Sequence, residues 1–132
     1  MDRSEARAQA MKLVYEWEMG GEGGEDTRLN LLEVKPEEKE ADFMNAVFAG
    51  VVANAEEIDA CICQYARGWS LDRITRVDLA ILRVAVYELL YSDVPERVVI
   101  NEAVRLAGVY STEKAGAFIN GVLGSVSRRP KA

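Results

Sequence analysis

Residues 76–91 read RVDLAILRVAVYELLY, and this stretch decides the fold. Wound as a helix, it leaves almost no polar side: Leu79, Ala80, Ile81, Leu82, Val84, Ala85, Val86 and Leu89 point in every direction. A helix that is apolar all round belongs at the centre of a bundle, wrapped by others. Thr75 with Asp78 three residues on fits an N-terminal capping pattern. The two charges placed deep in the run, Arg83 and Glu88, require partners from elsewhere in the chain, because a lone buried charge is costly.

The flanks supply the wrapping. Downstream, Asp93-Val94-Pro95 breaks the chain, and a helix is expected from about Val98 to Tyr110. Thr112 caps a last helix to about Ser127, with Phe118, Ile119, Val122, Leu123 and Val126 as its apolar set. Ala117, Gly121 and Gly124 form a row of small side chains on that helix, as though another backbone came close. Upstream, Ser70 caps a short turn through Arg73. Pro36 opens a long helix with Glu37, Glu38 and Glu40 in its first turn. Its seam is Met44, Phe48, Val51, Ala55, Ile58, Ile62 and Tyr65, with a bend expected near Gly50 or Asn54 and a stop at Gly68. Near the N-terminus, Ala6, Ala10, Leu13, Val14 and Trp17 share one stripe. Gly20, Gly21, Gly23 and Gly24 then make a joint, and a short helix is expected over Thr27–Glu33. The expected fold is a compact all-α bundle of six or seven helices, one domain over residues 1–132.

Composition excludes several function classes. The chain has 132 residues, 49% hydrophobic and 29% charged, an ordinary globular mixture. No apolar run reaches the ~18 residues of a membrane span, and no apolar leader follows the first charges, so a cytoplasmic protein is expected. Histidine is absent, which removes the usual general base and the commonest metal ligand. Cys61 and Cys63 stand two apart, where helical side chains diverge, so neither a metal site nor a cofactor is expected. No second acid can be paired with Glu88, and the glycine joint does not follow a strand as a phosphate loop would. The expectation is a protein that is not an enzyme. The net charge is −6, but it is unevenly spread. Residues 21–60 hold 3 basic and 11 acidic groups, whereas residues 61–132 hold 10 and 7. A cationic surface must therefore come from the first helix or the C-terminal half.

A few residues are candidates for chemistry. Arg3, Arg7, Met11 and Tyr15 advance by ~40° per step, forming a row along the edge of the apolar stripe. Two guanidinium groups and a phenol in such a row suit phosphates and a stacked base; the same row also suits a solvated helix border. Asp78 either caps its helix or accepts hydrogen bonds from base amino groups. Lys114 and Phe118 lie one turn apart on the last helix, as a solvated cation and a core ring or as a phosphate contact and a stacking platform. Asn101 and Glu102 are expected to open the sixth helix, as capping groups or as part of a partner surface.

Three runs carry a resemblance. The sequence WSLDRITRVDLAILRVAVYELLY at 69–91, VPERVVINEAVRLA at 94–107 and AFINGVLGSV at 117–126 resemble the NusB family of bacterial transcription antitermination factors. RSEARAQAMKLVYEWE at 3–18 is similar to that family's first helix. The resemblance covers nearly the whole chain, more weakly in its middle third. It implies two packed helical subdomains. It also implies a partnership with Nus factor E, a small-subunit ribosomal protein, in binding boxA-type single-stranded RNA within nascent ribosomal RNA. The complex would help the RNA polymerase elongation complex pass terminators. By match of motif it implies RNA contacts for Arg3, Arg7, Tyr15 and Phe118, with Asp78 where the family often has an acid. This chain departs from the family at Ser4 and Glu5, between its two N-terminal arginines, and at Gly108, Ala117 and Gly124, where charged residues are frequent; Lys114 restores one cation. The alternative expectation is a helical adaptor that binds protein only, or a homodimer formed through the small-residue row or the first helix.

Overall fold

A computed structural model describes residues 1–20 and 37–130. Within them run six α-helices and one 3-10 turn. They are α1 (Arg3–Glu18), α2 (Ala41–Ala53), α3 (Ala55–Tyr65), the turn Leu71–Arg73, α4 (Arg76–Tyr91), α5 (Glu96–Tyr110) and α6 (Glu113–Ser127). The apolar run is α4, with the bounds read from its sequence, and it touches all five other helices. On one side α1 and α2 pack on each other and on α4; on the other, α5 and α6 form a hairpin against α4, and α3 closes against α4 and α6. Two helical groups thus share one central rod. The core passes through it without a gap, from Leu13, Val14 and Met44 to Leu79 and Leu82 and on to Ile119 and Leu123, all fully buried.

Both charges of the central run have found partners. Glu88 is 2% exposed and accepts from Arg7 Nε at 2.9 and 3.1 Å, one contact to each carboxylate oxygen. Arg83 donates to both oxygens of Asp59 at 2.9 Å and lies 3.3 Å from Glu18. Burial works against the Arg83 charge, but the Asp59 and Glu18 carboxylates outweigh it and hold its pKa above the ordinary value. These pairs fix the helix directions. Arg7 meets Glu88 and Glu18 meets Arg76, so α1 runs antiparallel to α4. Ser4 meets Glu102 and Lys12 meets Tyr110, so α1 runs parallel to α5.

Several local expectations are corrected. The long helix is two helices. The seam keeps its phase, with Met44, Phe48, Val51, Ile58 and Ile62 buried. At Asn54, however, the side-chain Nδ2 donates to the Gly50 carbonyl at 2.8 Å, and the backbone leaves helical geometry (φ −115°, ψ 22°). A short amide competing with its own backbone breaks a helix in this way. Glu37, Glu38 and Glu40 precede α2 rather than fill its first turn, and Glu40 adopts a left-handed φ of 68° while holding Arg3. The expected helix over Thr27–Glu33, most of the glycine joint and the Pro36 start lie outside the described residues. Helix α5 opens at Glu96, two residues before expectation, which leaves Asn101 and Glu102 inside it. The row Ala117, Gly121 and Gly124 meets no other backbone: a β-carbon added to Gly121 would have nothing within 4 Å. The close approach is elsewhere, at Gly50, where an added β-carbon would collide with the Tyr87 ring.

Glu102 ties α5 to α1, accepting from Ser4 Oγ and from Arg105 Nε. Partial burial would raise its pKa, but the Ser4 and Arg105 hydrogen bonds and the nearby Arg105 and Arg7 charges win, so the net shift is downward. A carboxylate with a depressed folded pKa stabilises above its unfolded value of 4.5 and loses that contribution as pH falls through the lower folded value. Glu102→Gln should therefore flatten the fall in stability on the acid side of pH 4.5. Urea midpoints measured against pH for both proteins check this; parallel curves would contradict it.

Candidate nucleic-acid interface

The turn between α3 and α4 and the first turns of α4 and α6 converge on one cleft. Gly68, with φ +79°, ends the α3 exit, and Trp69 follows with half its surface exposed. The 3-10 turn then presents Arg73 to solvent. Thr75 Oγ1 accepts from the Asp78 N–H at 3.2 Å, capping α4 and holding Asp78 in its first turn. Thr112 does the same for α6 through the Ala115 N–H, which sets Lys114 and Phe118 one turn apart on its outer side. Trp69, Arg73, Ile74, Thr75, Asp78, Thr112, Lys114, Ala115 and Phe118 line a cleft of about 330 Å³. Its apolar wall is the Trp69–Phe118 pair, with ring centroids 5.6 Å apart and planes at 59°.

The chemistry of this cleft is mixed in a particular way. Arg73 and Lys114 are exposed, and neither has a salt bridge among the described residues. Asp78 is 7% exposed, and its Oδ1 is buried without a hydrogen-bond partner. A buried carboxylate oxygen left without a donor is unusual, since nearly all such groups are satisfied. An incoming amino or imino group would complete it. Aromatic faces for stacking, cations for phosphates and an unsatisfied acceptor for a base edge are therefore within one recess.

The candidate residues divide into two groups. Asp78, Lys114 and Phe118 share the cleft. Tyr15 borders it. It lies on α1 between Lys12, whose ammonium sits 5.1 Å from the Tyr110 ring centroid, and Glu18, which reaches Arg76 beside the cleft wall. Arg3 and Arg7 are at the far end of α1, Arg3 ~18 Å from Tyr15 along the helix axis. Arg3 is half-exposed, pairs with Glu40 and stacks over Phe43 at 4.0 Å. Arg7 is 4% exposed, and Met11 is buried too, so the expected solvent-facing row from Arg3 to Tyr15 is interrupted by two inward side chains. That expectation is corrected: the edge of the stripe is covered by α4, which brings Glu88 over Arg7. Sequence reasoning missed Trp69 and Arg73. An exposed tryptophan directly after a helix-stopping glycine was the available signal for the first.

Comparisons with known proteins bear on this arrangement. The sequence model described as the NusB family matches residues 4–128. A protein of Acetivibrio thermocellus called transcription antitermination protein NusB is 46% identical over 128 residues, covering 96% of this chain and 88% of its own. Thermotoga (T.) maritima NusB superposes with a TM-score of 0.84 at 31% identity, covering 98% of this chain and 92% of its own. A solved structure of antitermination factors NusB and NusE in complex with double-stranded RNA superposes with a TM-score of 0.83 at 32% identity, 96% of each chain being covered.

Proposed function

This chain belongs to the NusB family, a non-enzymatic family of transcription antitermination factors, and on that premise we propose that it binds boxA-type single-stranded RNA together with a NusE-type ribosomal protein. In that complex it supports elongation by RNA polymerase on ribosomal RNA genes, as a passive holder of the transcript. The observation that carries the reading is the convergence of Asp78, Lys114 and Phe118 with Trp69 and Arg73 on one cleft. That a NusB–NusE pair has been solved with double-stranded RNA supports an RNA and a NusE-type protein as partners. An unpaired strand suits the cleft better than a duplex, because stacking inside an A-form duplex hides the base faces that Trp69 and Phe118 would stack on. The division of labour is then simple: Arg73 and Lys114 attract phosphates, the rings hold bases, and Asp78 Oδ1 takes a base N–H. No described helix is long and apolar enough to cross a membrane, and a cytoplasmic place beside nascent RNA is part of the proposal.

Fluorescence anisotropy with a labelled boxA-type RNA tests this, on the chain alone and with the NusE-type protein. The single strand should bind more tightly than the same strand annealed to its complement. Its log affinity should fall linearly with log salt, with a slope of ~−0.7 per phosphate held. The net charge of −6 favours one rival, an adaptor that binds protein only. A NusE complex that forms normally yet shifts neither RNA would establish that rival and end the RNA reading.

A further inference from the structure

The Trp69–Phe118 pair is a ridge with a recess on either side. Beyond it, opposite the cleft, lies a second recess of about 420 Å³, walled by the same two rings and by Tyr65. Its floor is the small-residue row of α6, where Ala117 and Gly121 leave space that no side chain of this chain enters. Its rim carries Arg67 and Arg128. Both are exposed, and neither side chain has a hydrogen bond or an ion pair among the described residues, although the Arg128 backbone N–H donates to the Gly124 carbonyl. Gly124 matters here: a β-carbon there would stand 3.2 Å from Arg128 Nη1, so its absence lets that guanidinium lie back along α6.

We infer that this recess is a second nucleotide subsite, reached by an RNA strand that crosses the aromatic ridge, with Arg67 and Arg128 holding the phosphate beyond it. The inference rests on the RNA reading of the first cleft and extends it by at least one nucleotide. A base stacked on the ridge has a ring face on each side to share. Its neighbour finds room over Gly121, where any larger side chain would fill the floor. The two guanidinium groups suit phosphate, since each offers a fixed fork of N–H donors. A strand placed this way meets cations at both ends, Arg73 and Lys114 before the ridge and Arg67 and Arg128 after it.

The test uses the full chain with its NusE-type partner and two single-stranded boxA-type RNAs, one short and one extended at both ends. Arg67→Ala/Arg128→Ala should weaken the long RNA several-fold and leave the short one unchanged. The double variant should also flatten the salt dependence of the long RNA by ~0.7 in log–log slope, the value for the one phosphate held there. Gly121→Gln should weaken the long RNA in the same way, on a helix position where the added side chain meets no protein atom within 4 Å of its β-carbon. Native affinity for both RNAs in both variants would overturn the inference while leaving the first cleft standing. Failure of the native chain to bind either RNA would end both. If light scattering showed Gly121→Gln abolishing a dimer with RNA affinity intact, the recess would be a seat for a second copy, and the inference would fail.

Discussion

Glu88→Ala is expected to cost about 3–5 kcal/mol of folding free energy, the usual cost of leaving one member of a buried ion pair alone. Domains of this size have roughly 5–15 kcal/mol in total, so the variant should stand near the edge of folding at 37 °C. The reason is geometric. Arg7 is 4% and Glu88 2% exposed, and Arg7 Nε contacts both carboxylate oxygens within 3.1 Å. Removing the carboxylate leaves a guanidinium that is only 4% exposed without its ion-pair partner between α1 and α4. Arg7→Ala should be costly for the mirror-image reason. Replacing both, as in Arg7→Met/Glu88→Leu, should recover most of the loss, because apolar groups of similar volume need no compensation there. Urea unfolding of the two single variants and the double variant gives the cycle. Singles that lose less than about 1 kcal/mol, as surface pairs do, would contradict the buried-pair account.

The same cycle settles what Arg7 does for RNA. A guanidinium committed to Glu88 is not presented to a phosphate. The folded double variant should therefore bind boxA-type RNA as the native chain does. A drop in its affinity at fixed salt, with the helix content unchanged, would return Arg7 to the interface and require the pair to open on binding.

What could be read in advance, and what could not, follows from the range of the forces involved. The limits of α4 were legible because an all-apolar run and the Thr75 cap are both local. Arg83 and Glu88 announced that they needed partners, yet nothing near them in sequence said that the partners were Asp59, Glu18 and Arg7. The break at Asn54 was only half legible. The hydrophobic seam continues through it in phase, and one side-chain amide decides between a bend and a stop. The N-terminal row failed for a related reason. Helical periodicity gives the angle of Arg7 around its own axis, but whether that angle faces water depends on a glutamate 81 residues away. In the cleft, Asp78, Lys114 and Phe118 came from motif resemblance and from spacing along helices. Trp69 and Arg73 belong to an irregular turn, where no period marks which way a side chain points.

The Trp69–Phe118 pair gives the largest effect expected on binding. Trp69→Ala and Phe118→Ala should each weaken single-stranded RNA by about 1–3 kcal/mol, the usual value of one base stacked on an aromatic ring. The two rings touch at 5.6 Å, so each truncation also loosens the other ring, and the double variant should lose less than the sum. Stability should change little by comparison. Trp69 is 49% exposed, and Phe118 packs against the core only in part. The salt slope should also stay near the native value, since no phosphate contact is removed. That pattern separates stacking from charge: the aromatic variants shift affinity at constant slope, while Lys114→Ala and Arg73→Ala lower the slope itself. Anisotropy titrations at several salt concentrations distinguish the two. If Trp69→Ala/Phe118→Ala bound the single strand with native affinity, the ridge would be a packing feature only, and the cleft would lose its claim to the bases.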